Sequence, residues 1–220
     1  MSKTTNINAI EFLENTKNKT AVFLFHGYGA DSSDLVSLKE ELVVDSQNYN
    51  WVFPQGIHKV DIGGGYTGRA WWPIAMSSLP GDWSDISPPG VEDLVKNVLK
   101  FVESYQIPWS QIVLGGFSQG AMLATEIYLQ APETPKGLLS FSGSLVRRST
   151  WQKLMPARKN QKVFLSHGEQ DQVLPIKGTF GLQTLFKQNE IKTDLITFAG
   201  GHEIPMKAIE KAKNYMQNLA

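Results

Sequence analysis

At 220 residues the chain is long enough for one domain with a substantial core, and Lys+Arg balances Asp+Glu at 21 each, so no net field draws it to nucleic acid. Cysteine is absent, which removes disulfide frameworks and cysteine-type zinc sites, and no apolar run approaches the roughly 20 residues that cross a bilayer. Met1 to Asn6 have no hydrophobic segment behind them and do not read as a secretory signal, so a single cytoplasmic domain over residues 1–220 is expected.

The first buried-strand run is Ala21-Val22-Phe23-Leu24-Phe25, closed by His26-Gly27-Tyr28-Gly29-Ala30-Asp31. A histidine there could be a second base or a metal ligand; bracing of the loop is the favoured reading. A short strand follows at 51–53, and then residues 54–90 show little regular pattern. Loops this long are uncommon in compact domains and are often functional. Gly63, Gly65 and Gly68 formally satisfy G-x-G-x-x-G, but with no strand expected before them and no helix after, no dinucleotide site is read. The same stretch carries Trp71, Trp72, Met76, Leu79 and Trp83. These form either an apolar pocket wall, supplied by Trp71 or Trp72, or a surface loop stapled to the core.

From 91 to 105 a helix is expected, since Val91, Leu94, Val95, Val98, Leu99, Val102 and Tyr105 recur at three- and four-residue steps. Strands are read at 111–115, 137–141, 162–166 and 194–198. A last helix follows Pro205, with Ala208, Ile209, Ala212, Tyr215, Met216 and Leu219 as its stripe. Between Arg147 and Lys162 lie six basic residues and no acidic one, which reads either as a patch for anionic headgroups or, preferably, as a solvated face. Strands alternating with helices argue for an α/β fold, a mostly parallel central sheet with helices on both faces.

Gly116-Phe117-Ser118-Gln119-Gly120 joins the strand ending at Gly115 to the helical Ala121-Met122-Leu123-Ala124-Thr125-Glu126. A G-x-S-x-G between strand and helix is the nucleophile elbow, which exposes its serine at the top of a parallel sheet; alone, it could equally be a Gly-rich turn. The chain order that completes it is Ser, then Asp or Glu, then His. Downstream of Ser118 the histidines are His167 and His202. His202 falls in a loop after the last strand, at the sheet edge where ligands approach. Asp171 is the candidate acid, one strand earlier on the same edge, with Glu169 as competitor. The oxyanion donors of such an elbow are the amide after the nucleophile and one from the loop after an early strand. They fall on Gln119 and Tyr28.

These segments, with His167-Gly168-Glu169-Gln170-Asp171-Gln172-Val173-Leu174-Pro175 and Gly201-His202, resemble the phospholipase/carboxylesterase family of small α/β-hydrolases, which includes the acyl-protein thioesterases. The likeness runs in order from about residue 20 to about residue 205. It implies an α/β-hydrolase fold with no separate cap domain, a triad of Ser118, Asp171 and His202, and the oxyanion donors Tyr28 and Gln119. It also implies a serine esterase or thioesterase of short to medium acyl chains, acting on a small-molecule or lipid ester, or on an acylated protein, with no cofactor and no metal. Lysophospholipase, serine peptidase and non-catalytic binding module are the alternatives on the same fold. Tyr28 stands where the family usually has leucine, Ala121 where a further glycine is common, and Ser166 where cysteine is frequent. Leu174, three residues beyond Asp171, is a further candidate for the pocket wall.

Overall fold

The structure, a computed structural model, describes residues 7–13, 20–42, 49–74 and 84–219. Met76, Leu79 and Trp83 lie outside the described residues. In chain order the elements are β1 (Ala9–Phe12), β2 (Thr20–Phe25), α1 (Leu38–Glu41), β3 (Tyr49–Pro54), β4 (His58–Asp61), β5 (Thr67–Ala70), α2 (Val91–Glu103) and β6 (Ile112–Phe117). They continue with α3 (Gln119–Gln130), β7 (Gly137–Phe141), α4 (Arg148–Leu154), β8 (Lys162–Gly168), α5 (Lys177–Gln188), β9 (Lys192–Phe198) and α6 (Met206–Gln217).

Seven strands form one sheet in the order β1-β3-β2-β6-β7-β8-β9. Every neighbouring pair is parallel except β1 with β3. The period-2 alternation of side chains sorts β2 between two cores: Ala21, Phe23 and Phe25 join one apolar cluster, Val22 and Leu24 the other. The same split divides Ile112 and Leu114 from Val113, and Val163 and Leu165 from Phe164. Strands apolar on both faces belong to a parallel sheet covered by helices on each side. Helices α2, α3 and α5 cover the first face, α1 and α6 the second. No helix of the described residues is long and apolar enough to cross a membrane.

Because the strands are parallel, the C-terminal ends of β2, β6, β7, β8 and β9 open on one edge of the sheet. The loops bearing Tyr28, Ser118, Asp171 and His202 all leave from that edge.

Residues 54–74, the first part of the 54–90 stretch, are more regular than expected. His58–Asp61 and Thr67–Ala70 pair antiparallel in their own two-stranded sheet, and Gly63, Gly64 and Gly65 turn the hairpin at φ +89°, +63° and +80°. A strand therefore does precede the G-x-G-x-x-G glycines, but Gly68 lies within β5 and no helix opens at them. Both strands are short and mostly polar, β4 is largely exposed, and neither carries the apolar alternation that marks a strand in sequence. The hairpin is tied to the loop after β2: Gly29 N–H donates to Arg69 O and Arg69 N–H to Ala30 O, each at 2.8 Å.

The basic run from Arg147 to Lys162 is not a free patch. Arg147 is buried against Glu126 of α3 and also pairs with Glu92 of α2. Arg158 is buried and donates to the carbonyls of Tyr128, Leu129 and Ala131. Lys159 pairs with Glu190 and Lys162 with Asp194. Partners for these cations come from distant segments, which a local count of acids does not register.

Candidate active site

Ser118 sits between β6 and α3 at φ +56°, ψ −119°, a backbone conformation that L-residues avoid and that costs about 1–3 kcal/mol. Its neighbours enforce it. Ser118 N–H donates to Phe141 O at 2.9 Å, and Ser118 O accepts from the amides of Ala121 and Met122. The flanking glycines allow the crossing: a Cβ at Gly120 would lie 1.9 Å from Phe25 O, and one at Gly116 2.5 Å from Gly120 C. Strand β2, β6 and the first turn of α3 touch backbone to backbone here, so both positions exclude side chains.

Asp171 follows β8 and His202 follows β9. His202 Nδ1 donates to Asp171 Oδ2 at 2.6 Å. Asp171 Oδ1 accepts from the amides of Val173 at 2.9 Å and Leu174 at 2.8 Å, so both oxygens are engaged. With its proton on Nδ1, His202 leaves Nε2 as an acceptor. The imidazole packs on Phe117, immediately before Ser118, with ring centroids 4.7 Å apart. Glu169, the alternative acid, is exposed and accepts from Thr197 Oγ1 at 2.7 Å instead.

Gln119 is the first residue of α3, where an amide has no intrahelical acceptor and the helix dipole is positive. Tyr28 lies in the loop after β2, whose next two amides are committed, Gly29 to Arg69 O and Ala30 to Gly27 O. The Gln119 side chain has a task that the sequence reading missed. Its Oε1 accepts from Trp71 N–H at 2.9 Å and its Nε2 donates to Trp72 O at 2.8 Å, clamping the end of the hairpin onto α3.

His26 braces the same region. Nε2 accepts from Gly56 N–H at 2.9 Å while Nδ1 donates to Gly27 O at 2.7 Å, so the ring is neutral with its proton on Nδ1. Burial pushes its pKa below the ordinary histidine value, outweighing the bond to Gly27 O. Trp71 N–H of the indole donates to His26 O at 2.9 Å, and its ring stands edge-on to Phe25. Trp71 is wholly buried and acts as a staple of this loop, which assigns it to the core rather than to a surface an acyl chain touches first. Trp72 and Leu174, both nearly buried, belong to the same apolar cluster as Met122, Leu145 and Val146. Among the described residues there is no group of three or more His, Cys, Asp or Glu side chains placed to hold a metal ion.

The family model described as phospholipase/carboxylesterase matches residues 6–220. The chain belongs to that family. It is 30% identical over 210 residues to "Acyl-protein thioesterase 1" of Eremothecium gossypii, covering 90% of this chain and 87% of that protein. It is 27% identical to "Acyl-protein thioesterase 1 homolog 1" of Dictyostelium discoideum, covering 96% and 95%. Among solved structures, esterase PE8 superposes with a TM-score of 0.80 at 24% identity, covering 98% of this chain and 100% of that one. The Bacillus cereus carboxylesterase does so with a TM-score of 0.76 at 19% identity, covering 98% and 96%. The fold is that of the α/β-hydrolases, and the chain is an enzyme, a hydrolase of the esterase and thioesterase class.

Proposed function

We propose that this enzyme works as one cytoplasmic domain that cleaves carboxylic esters or thioesters of short to medium acyl chains through an acyl-enzyme on Ser118. The observation that carries the proposal is the 2.6 Å bond from His202 to Asp171, with that imidazole packed on the residue preceding the strained Ser118.

Ser118 Oγ attacks the acyl carbon while His202 Nε2 takes its proton, and Asp171 holds the imidazolium that forms. The carbonyl oxygen, now an oxyanion, receives the amides of Tyr28 and Gln119. Side-chain donors removed from comparable oxyanion holes are worth about 2.7–4 kcal/mol each. As the tetrahedral adduct collapses, His202 returns the proton to the leaving alkoxide; a thiolate leaves more readily and needs this less. Water then attacks the acyl-Ser118 ester, again through His202, and releases the carboxylic acid and free serine. Trp72 and Leu174 supply apolar surface to the acyl chain, with Trp71 holding Trp72 in place from behind. The names of the Eremothecium and Dictyostelium relatives make an S-acylated protein the leading macromolecular substrate, beside small esters and lipid acyl esters.

The test is S118A against a short p-nitrophenyl ester, with an acyl thioester, a lysophospholipid and a peptide amide alongside. Turnover disappears while the fold persists if the serine is the nucleophile. Near-native rates in S118A would refute the mechanism, and a preference for the peptide amide would refute the substrate class.

A further inference from the structure

His167 has no part in the reaction just described, yet it touches the acid. It lies near the end of β8, and its side chain is fully buried. Nδ1 lies 2.7 Å from Thr179 Oγ1 of α5, and that hydroxyl lies 2.7 Å from Gly143 O in the loop after β7. Nε2 lies 2.7 Å from Leu174 O and 3.2 Å from Asp171 Oδ2.

Proton counting fixes the ring. A carbonyl and a carboxylate oxygen only accept, so Nε2 must carry a hydrogen to approach both. The Thr179 hydroxyl has a single proton to give, to Gly143 O or to Nδ1, and either choice leaves the Nε2 hydrogen in place. We propose that His167 is a positioning residue whose Nε2–H, shared between Leu174 O and Asp171 Oδ2, holds the acid in the orientation that His202 uses. This rests on the reading of Asp171 and His202 as acid and base.

The contacts explain why such a hold is needed. Asp171 lies on a loop, and its Oδ1 is fixed only to amides of that same loop, Val173 and Leu174. Those bonds shape the turn, and its backbone meets the strand ends through Glu169 N–H to Phe198 O and Asp171 N–H to Gly168 O. His167 adds a side-chain hold at the carboxylate itself: it is part of β8, it grips Leu174 by its carbonyl while Leu174 N–H grips Asp171, and it is held by α5 through Thr179. Oδ2 then lies between two imidazoles, His202 at 2.6 Å and His167 at 3.2 Å. The charged and titratable groups facing His167 are Asp171 from its own loop and His202 from the loop after β9; α5 presents the Thr179 hydroxyl. Burial pushes the His167 pKa below the ordinary histidine value, against the raising effects of Leu174 O and Asp171. That favours a neutral donor on Nε2 and avoids competition with His202 for the carboxylate's charge.

Two glutamine-family substitutions separate the ring's two ends. H167Q places an amide donor where Nε2 was, and H167N places one where Nδ1 was. H167Q is expected to keep kcat within about threefold of wild type, whereas H167N loses about 10- to 100-fold in kcat with KM nearly unchanged, the range seen when groups that orient metal ligands from behind are removed. Equal losses in both variants, or none in either, would overturn the positioning role. The wild-type protein offers a second readout that needs no variant to fold: with histidine labelled by nitrogen-15, the His167 ring shows a protonated Nε2 near neutral pH. A ring protonated on Nδ1 alone would overturn the proposal. S118A reports separately on the hydrolase mechanism, since its failure would leave the His167 ring spectrum as described.

Discussion

D171N tests the geometry of the site most directly, because each oxygen of Asp171 accepts from two donors and an amide can satisfy only one such side. Oδ1 accepts from the Val173 and Leu174 amides, whereas Oδ2 faces His202 Nδ1 at 2.6 Å and His167 Nε2 at 3.2 Å. An asparagine that keeps its oxygen on the two amides turns its NH2 towards two ring N–H groups. The donors repel, and His202 relieves the clash by moving its proton to Nε2. An imidazole in that tautomer cannot accept the serine proton. The expected loss in kcat is about 10⁴, or roughly 5.4 kcal/mol of transition-state stabilisation, as where a triad tautomer has been inverted elsewhere. Stability falls much less, by about 1.5–3 kcal/mol for the charged hydrogen bonds removed from a fully buried carboxylate. The assay is turnover of a p-nitrophenyl ester at neutral pH, with urea unfolding in parallel. A D171N enzyme within about tenfold of wild type would refute the reasoning, since no such inversion costs so little. So would a larger loss in E169Q, because Glu169 is turned towards Thr197.

Two further outcomes follow from the surroundings of the site. W72A should lower kcat/KM for an octanoyl ester about tenfold more than for an acetyl ester, since exposing two methylenes costs about 1.6 kcal/mol; equal losses at both chain lengths would make Trp72 a purely structural residue. His26 makes stability pH-dependent. Its folded pKa lies below its unfolded value near 6.5, so the unfolded chain binds the extra proton first. The stabilisation is complete above that value and declines as pH falls through it, by up to about 1.4 kcal/mol per pH unit. Urea unfolding at pH 7.5 and 5.5 reads it, and H26Q should reduce the difference without abolishing it, because burial lowers the His167 pKa in the same direction; an undiminished slope in that variant would show that His26 does not contribute.

The candidate site was legible because its residues occupy ends of strands, where apolar runs stop and Gly-rich turns begin. Ser118, Asp171 and His202 each follow a strand whose limits the run of β-branched and aromatic residues marks within a few positions. Where the signal depends on neighbours remote in the chain, it fades. The strand Ala9–Phe12 is short and half-exposed, and it is stabilised by pairing with Trp51 to Pro54 rather than by its own pattern. The hairpin of β4 and β5 carries polar strands held by the loop after β2. Gln119 is a proposed backbone donor from its place after Ser118, but its amide side chain is informative only once Trp71 and Trp72 are seen against it. Arg147 likewise reads as surface charge until Glu92 and Glu126 arrive from other helices.

Three imidazoles stand at the same edge of the sheet, and the backbone rather than their own chemistry differentiates them. His26 meets an N–H at Nε2, from Gly56, and must therefore present a lone pair there and its proton at Nδ1. His167 meets acceptors at Nε2, from Leu174 and Asp171, and must present its proton there. His202 meets a carboxylate at Nδ1, which leaves Nε2 as an acceptor, and its ring packs on Phe117, the residue before Ser118. Burial disfavours charge on the first two, and hydrogen bonds set their tautomers, so neither is suited to carry a proton back and forth. His202 differs in being partly open to solvent, with 16% of its side chain exposed, and in having its fixed nitrogen on a carboxylate that stabilises the protonated ring. One residue type thus yields two rigid braces and, in the proposed mechanism, a single base, and the distinction comes from which backbone and carboxylate groups each ring nitrogen meets.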